Sequence, residues 1–237
     1  MDEQQRLSIF SAQTQNVRQL KRAWTHVNRE INSNLVQNNM SAVAVHTKVL
    51  AVIYCALAET IFSKMIHTPH GLSLDEIEQV KGITRSTGVK SGWTKCAQLA
   101  IRRLDGTSSN HAPNVLRKLE SLIDEYIYDP SLIRNKLAHG QWSVALNREN
   151  TDINQEFTRQ IKDCTVIDLY RRESSLSRLA AILEDMIESP NKAHRRDYWT
   201  HLTDLEKGER ERSGWTLEDK IGQLKKKKSY TSQATRR

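Results

Sequence analysis

Cysteine is scarce and badly placed for cross-linking. Cys55, Cys96 and Cys164 are odd in number, far apart in the chain and without a CxxC pair. This pattern speaks against a disulfide framework and a thiolate metal site, and the three thiols are expected to be reduced core residues. A clean apolar run is also missing: the stretch from Val43 to Ile66 is interrupted by His46, Lys48, Glu59 and Lys64. It falls short of the roughly 20 apolar residues of a membrane span and reads as a buried helix. The opening residues MDEQQRLSIF carry acids at positions 2 and 3 and no apolar core, unlike a secretory signal. A cytoplasmic protein without membrane attachment is expected. There is no Walker A loop or Gly-rich nucleotide fingerprint. His67 and His70 flank Thr68-Pro69 without a nearby acid or cysteine. A loop role is expected for them, and neither a metal nor a cofactor is.

What the chain does have is enough apolar content, 38%, to build a sizeable core, together with a formal charge of +8. The charge is unevenly spread. Lys220, Lys225, Lys226, Lys227, Lys228, Arg236 and Arg237 lie after position 219 with no acid among them, and removing those seven from +8 leaves +1 for residues 1–219. The body is nearly neutral. The segment 220–237 reads as a disordered, solvated basic tail, with phosphate binding as the alternative.

Periodicity is helical along most of the chain. Val17, Leu20, Trp24, Val27, Ile31 and Leu35 recur in steps of three and four, which predicts a long amphipathic helix. A second helix, capped near Ser41 and apolar round most of its circumference, runs to Ile66 as the central member of a bundle. Ser73 and Glu76 form a capping-box pattern before a short helix over Leu74 to Val80. Gly82 to Gly92 reads as a turn-rich, basic loop. Trp93 to Leu104 is helical again, with Asp105-Gly106 and two serines as its stop. Pro113 opens a stripe running to Ile127, and Asp129-Pro130 reads as the start of a further short helix that Gly140 ends in a left-handed conformation. Trp142, Val144 and Leu146 alternate with polar residues, and Ile153 and Phe157 continue loosely, so a small β-hairpin is expected there. A last strong helix spans Val166 to Glu188. The whole reads as an all-α bundle with one β decoration, divided into a domain over 1–190, a helical extension over 191–219 and the basic tail.

The segment Arg134-Asn135-Lys136-Leu137-Ala138-His139-Gly140 lies in the short Asp-Pro-started, Gly-ended helix. Histidine titrates near neutrality and can move a proton, and arginine presents a planar cationic fork suited to phosphate oxygens. An asparagine beside them can orient the histidine or donate to phosphate. These groups suit metal-independent RNA cleavage, which needs an activated 2′-hydroxyl, stabilised charge at phosphorus and a protonated leaving oxygen. At 100° per residue, Asn135 and His139 lie about 40° apart on a helix, but Arg134 and His139 about 140° apart. One straight helix does not aim all three together.

The RNKLAH stretch resembles the Arg-x4-6-His signature of the HEPN superfamily, with Arg134, Asn135 and His139 matching position by position. The resemblance implies an up-and-down helical bundle with the motif at a helix terminus. It also implies a site completed by a second copy, and endoribonuclease activity of the toxin or phage-defence kind that leaves a 2′,3′-cyclic phosphate. Such an enzyme would be held in check by an antitoxin or a sensor partner. The alternative is a non-catalytic HEPN module for dimerisation or RNA binding. Glu59, set in an apolar helix, is expected either to face solvent or to pair with Arg134 in support of the site. Lys136 is a further candidate for RNA contact, and Lys90 and Lys95, with Lys81 and Arg85, are candidates to flank an RNA groove, although with Gly82, Gly88 and Gly92 among them a mobile loop is the simpler reading. Arg195 and Arg196 lie among Tyr198, Trp199 and His201, where packing of a final helix is the favoured reading and base stacking the other.

Overall fold

The computed structural model of the chain describes residues 1–104 and 110–234, with 228–234 described by backbone alone. Its regular structure is helical: α1 (Glu3–Val36), α2 (Met40–Ile66), α3 (Leu74–Thr87), α4 (Val89–Ile101), α5 (His111–Ile123), a π-helical turn (Asp124–Tyr128), α6 (Asp129–Ala138), α7 (Gln155–Asp163), α8 (Val166–Glu188), α9 (Ala193–Ser213) and α10 (Leu217–Ala234). The expected all-α architecture is present. The expected stop at Asp105-Gly106 and the two serines lies outside the described residues, as do Arg236 and Arg237.

The centre of the fold is α2, which packs against α1, α4, α6 and α8. Its buried side chains, from Val43 through Leu50, Tyr54, Ile61 and Met65 to Ile66, point in several directions, as its near-continuous apolar sequence requires. By length and composition α2 could cross a membrane, but 56% of its most apolar window is buried inside the fold. The helix α1 begins well before the legible stripe at Val17. Asp2 and Gln5 close a capping box, and Arg6 donates to the Leu72 carbonyl, so the first turns are held by polar contacts that leave no apolar period.

Three sequence expectations are corrected by packing. The segment from Gly82 to Gly92 is two helices meeting at Gly88, whose φ of +97° makes the break. Gly92 serves close approach, since a Cβ there would stand 2.1 Å from the Thr84 hydroxyl. The hairpin does not form, and among the described residues only one antiparallel bridge, Leu146 to Ile153, appears. Asn154 instead caps α7 through the Phe157 amide, so Phe157 is helical. The preceding loop is held by the Thr158 hydroxyl on the Ala145 amide and by Gln141 on the Leu146 amide. The third correction concerns the basic tail: residues from Leu217 to Ala234 are helical, capped by Thr216 and Asp219, and Lys220 lies 4.3 Å over the Tyr170 ring. Helix α9 packs on α8 and adds Tyr198, Leu202 and Leu205 to the one continuous core. All three cysteines are free, and burial pushes Cys55 and Cys96 up to about 12.

His194 is buried against Tyr198 and His111, and among the described residues neither of its ring nitrogens has a hydrogen-bond partner. Burial, helped by the charges of His111 and Arg195, pushes it from 6.5 down to about 4. An imidazole that protonates more readily unfolded than folded stabilises the fold above the unfolded value and loses that contribution as pH falls from 6.5 toward 4. In urea melts, His194→Leu should flatten the decline in midpoint across this window while leaving the pH 7.5 midpoint equal or higher. A steeper decline in the variant would contradict this account.

Candidate functional site

The motif helix is anchored by a missing donor. Pro130 has no N–H to continue the ladder past the π-helical turn, where the Asp129 amide already reaches back five residues to the Asp124 carbonyl, and the Tyr126 carbonyl lies in this interrupted stretch. The buried Tyr54 hydroxyl of α2 donates to that carbonyl at 2.6 Å. The Ser131 hydroxyl covers the Tyr128 carbonyl at 2.7 Å, and the π-helical turn absorbs the irregularity. Hence Asp129-Pro130 does not start a fresh helix: Tyr128 and Asp129 both keep right-handed helical backbone, and α5 runs through the turn into α6. One turn further along the motif helix, the neighbouring Cys55 thiol faces the Pro130 carbonyl at 3.5 Å, and another turn along it Arg134 pairs with Glu59. Two successive turns of α2, one bearing Tyr54 and Cys55 and the next Glu59, therefore grip three successive turns of the motif helix.

The far end of α6 closes in a Schellman arrangement. The Gly140 amide donates to the Leu137 carbonyl and the Gln141 amide to the Lys136 carbonyl, with Gly140 at φ +78°. His139 is thereby the C-cap residue, exposed at the end of the helix. Leu137 is buried and its carbonyl also accepts from the Trp142 indole, which ties the following loop to this terminus.

Beside Arg134 opens a cleft of about 620 Å³ between α2, the α3–α4 junction and the start of α6. Phe62 and Ile66 form an apolar floor, and Phe62 stacks on the buried Trp93. Tyr128, 39% exposed, stands on one wall. Lys81, Arg85, Lys90 and Arg134 line it, against Glu59 as the one acid in the lining. Lys90 is held by Asp124 at 2.5 Å and lies over the Tyr128 ring, and Lys81 pairs with Glu78. Among the described residues no group of three or more metal-ligating side chains is found.

No known protein family, curated protein or solved structure matches the chain.

The residues singled out from sequence are not all brought together. Arg134, Asn135, Glu59 and Lys90 share the cleft, whereas His139 does not line it. The 140° separation expected for a regular helix persists because α6 stays regular between the two residues. Glu59 is both exposed and paired with Arg134, so the two readings of it were not exclusive. Lys136 is engaged elsewhere: its ammonium donates to the Leu146 carbonyl at 2.6 Å and lies over the Phe157 ring. Lys95 is half-buried on α4 outside the cleft. Arg195 and Arg196 sit on α9, with Arg196 paired to Asp197 and Arg195 lining a small separate cavity beside His194. Sequence reasoning missed Tyr54 and Tyr128. The legible sign was the four-residue spacing shared by Cys55 and Glu59 on one helix and by Pro130 and Arg134 on the other.

Two outcomes follow for the anchoring. Tyr54→Phe leaves the Tyr126 carbonyl buried and unpartnered and should cost about 1–3 kcal/mol in chemical denaturation; an unchanged midpoint would refute the anchor. Lys136→Ala should speed amide exchange across 143–154 relative to α2.

Proposed function

We propose that the chain is a metal-independent endoribonuclease of the HEPN kind, acting as a homodimer. The observation that carries the reading is a cationic cleft beside Arg134 and Asn135, with His139 on the exposed cap of the same helix. Arg134 stabilises the charge that grows at phosphorus, Asn135 donates to phosphate or orients the histidine, and His139 moves the proton of the 2′-hydroxyl or the leaving oxygen. Glu59 holds the guanidinium at the cleft edge. The products are a 2′,3′-cyclic phosphate and a 5′-hydroxyl.

His139 lies outside the cleft of its own chain, so a second copy supplies the missing geometry. Val144 and Ile153, 41% and 46% exposed in the loop after Gly140, offer apolar surface near that helix end. A role in toxin–antitoxin or antiviral defence in the cytoplasm, under control of an antitoxin or sensor partner, fits such an activity. The same separation of His139 from the cleft favours a second reading, a non-catalytic module that dimerises or captures RNA.

With EDTA present, purified protein should cut a labelled RNA pool, and Arg134→Ala and His139→Ala should each lower the rate by about 100-fold or more. Glu59→Gln should have a smaller effect, about tenfold, because it removes only the positioning of Arg134. Wild type that binds RNA as its variants do, without cutting it, would replace the enzyme by the binding module. A monomer at working concentration that still cuts would remove the shared-site part.

A further inference from the structure

The outer face of α1 carries charge of one sign. From Gln4 to Arg29 the chain contains no acid, while Arg18, Lys21, Arg22 and Arg29 stand exposed on that helix. At 100° per residue, Arg22 and Arg29 fall within about 40° of Arg18, and Lys21 lies about 60° to its other side. The three arginines therefore form one ridge, which at 1.5 Å per residue runs for about 16 Å along the helix. Among the described residues none of the four side chains makes a hydrogen bond or ion pair. Cations on other helices are placed differently: Lys81 has Glu78 a turn away, and Arg171 and Arg178 of α8 reach Glu209 and Asp204 of α9.

The opposite side of α1 is taken up by the core, where Trp24, Ile31 and Leu35 are buried and Val17, Leu20 and Val27 pack. Helix α10 lies against α1 and seats Leu217, Ile221 and Leu224 on the same core. From Lys220 to Ala234 it too has no acid, and Lys225, Lys226 and Lys227 are exposed. The neighbouring helix thus adds cations without adding neutralising groups.

A bilayer with anionic headgroups and a nucleic acid both attract such a surface, but they ask different things of it. A helix lying in a membrane surface sinks an apolar face among the lipids. Here that face is buried in the fold, and no apolar side chain lies on the ridge between Arg18 and Arg29. The ridge also has no exposed aromatic ring on which an unpaired base would stack. What it presents is guanidinium forks, which match phosphate oxygens and carry no base readout.

We propose that the Arg18–Arg22–Arg29 ridge is a docking surface for the RNA phosphate backbone, holding it without regard to sequence and apart from the cleft at Arg134, which α1 does not line. The proposal rests on the ribonuclease reading for the choice of RNA over DNA, since phosphates are common to both.

Fluorescence anisotropy of the full chain tests this with labelled mixed-sequence 2′-O-methyl RNA, which cannot be cleaved, across a range of salt concentrations. Wild type should bind two unrelated sequences within about threefold of one another, and more weakly as salt rises. The triple variant Arg18→Gln/Arg22→Gln/Arg29→Gln should bind about tenfold or more weakly at low salt, and its salt slope should fall by about 2, at about 0.7 per lost single-strand phosphate contact. Glutamine is a good helix former at exposed positions, so the fold should be kept, and the corresponding Arg→Lys triple should restore binding to within about threefold. Arg117→Gln/Lys162→Gln/Arg210→Gln removes as much exposed charge from other helices and should change affinity by less than about threefold. Absence of RNA binding by wild type, equal loss in the two glutamine triples, or an unchanged salt slope in the α1 triple would overturn the ridge. Binding to phosphatidylserine–phosphatidylcholine vesicles that the α1 triple abolishes, with RNA binding intact, would assign the face to a membrane instead. DNA of the same sequence bound more than about tenfold tighter than RNA would overturn the choice of polymer. If wild type binds RNA through the ridge but leaves the unmodified pool uncut, the ribonuclease reading fails and the ridge stands; if it cuts and the α1 triple binds as wild type does, the ridge fails alone.

Discussion

The geometry around the motif depends on one absent hydrogen bond. Pro130 cannot donate to the Tyr126 carbonyl, and in a buried helix a carbonyl without a partner costs about 1–3 kcal/mol. Tyr54 supplies the donor from α2 at 2.6 Å. This couples the central helix of the fold to the helix bearing Arg134 and sets their rotation relative to one another. The Cys55 contact with the Pro130 carbonyl and the Glu59 pair with Arg134 then follow at one-turn intervals along the motif helix. The π-helical turn is the backbone's accommodation of the same residue, and it presents Tyr128 to the cleft wall.

Charge is used locally in this molecule. Five of the seven cations after position 219 lie on α10, where Lys220 covers Tyr170, while the cleft draws its character from a few cations on α3, α4 and α6. Lys90 is tied to Asp124, and Lys136 holds the loop through the Leu146 carbonyl. An exposed ion pair such as Lys90 with Asp124 adds little stability, typically under about 1 kcal/mol, so its value lies in orientation. Arg85 and Arg134 differ in this respect: one stands unengaged at the rim, and the other is aimed by Glu59.

The ends of α6 divide the motif. At the start, the α2 anchor fixes Arg134 toward the cleft. At the finish, the Schellman turn at Gly140 fixes His139 as an exposed cap. A regular helix between them keeps the two side chains apart, so any chemistry that needs both draws on a second surface.

Local pattern determined much of this protein. The helical stripes of Val17 to Leu35 and Val166 to Glu188, the capping box at Ser73 and Glu76, and the left-handed Gly140 are each specified by neighbours a turn away, and each is present. The RNKLAH segment could be placed on a helix and its angular conflict stated for the same reason. Tertiary structure decided the rest. The alternation after Trp142 did not become a hairpin because Asn154 caps a helix and Thr158 holds the Ala145 amide. Glycine-rich 82–92 became two helices because Gly92 allows close packing on Thr84. The Tyr54 hydroxyl bond and the cleft itself involve residues remote in sequence, whose meeting depends on how helices rotate and dock. Periodicity reports which face of a helix is apolar; it does not report which carbonyl that face will meet.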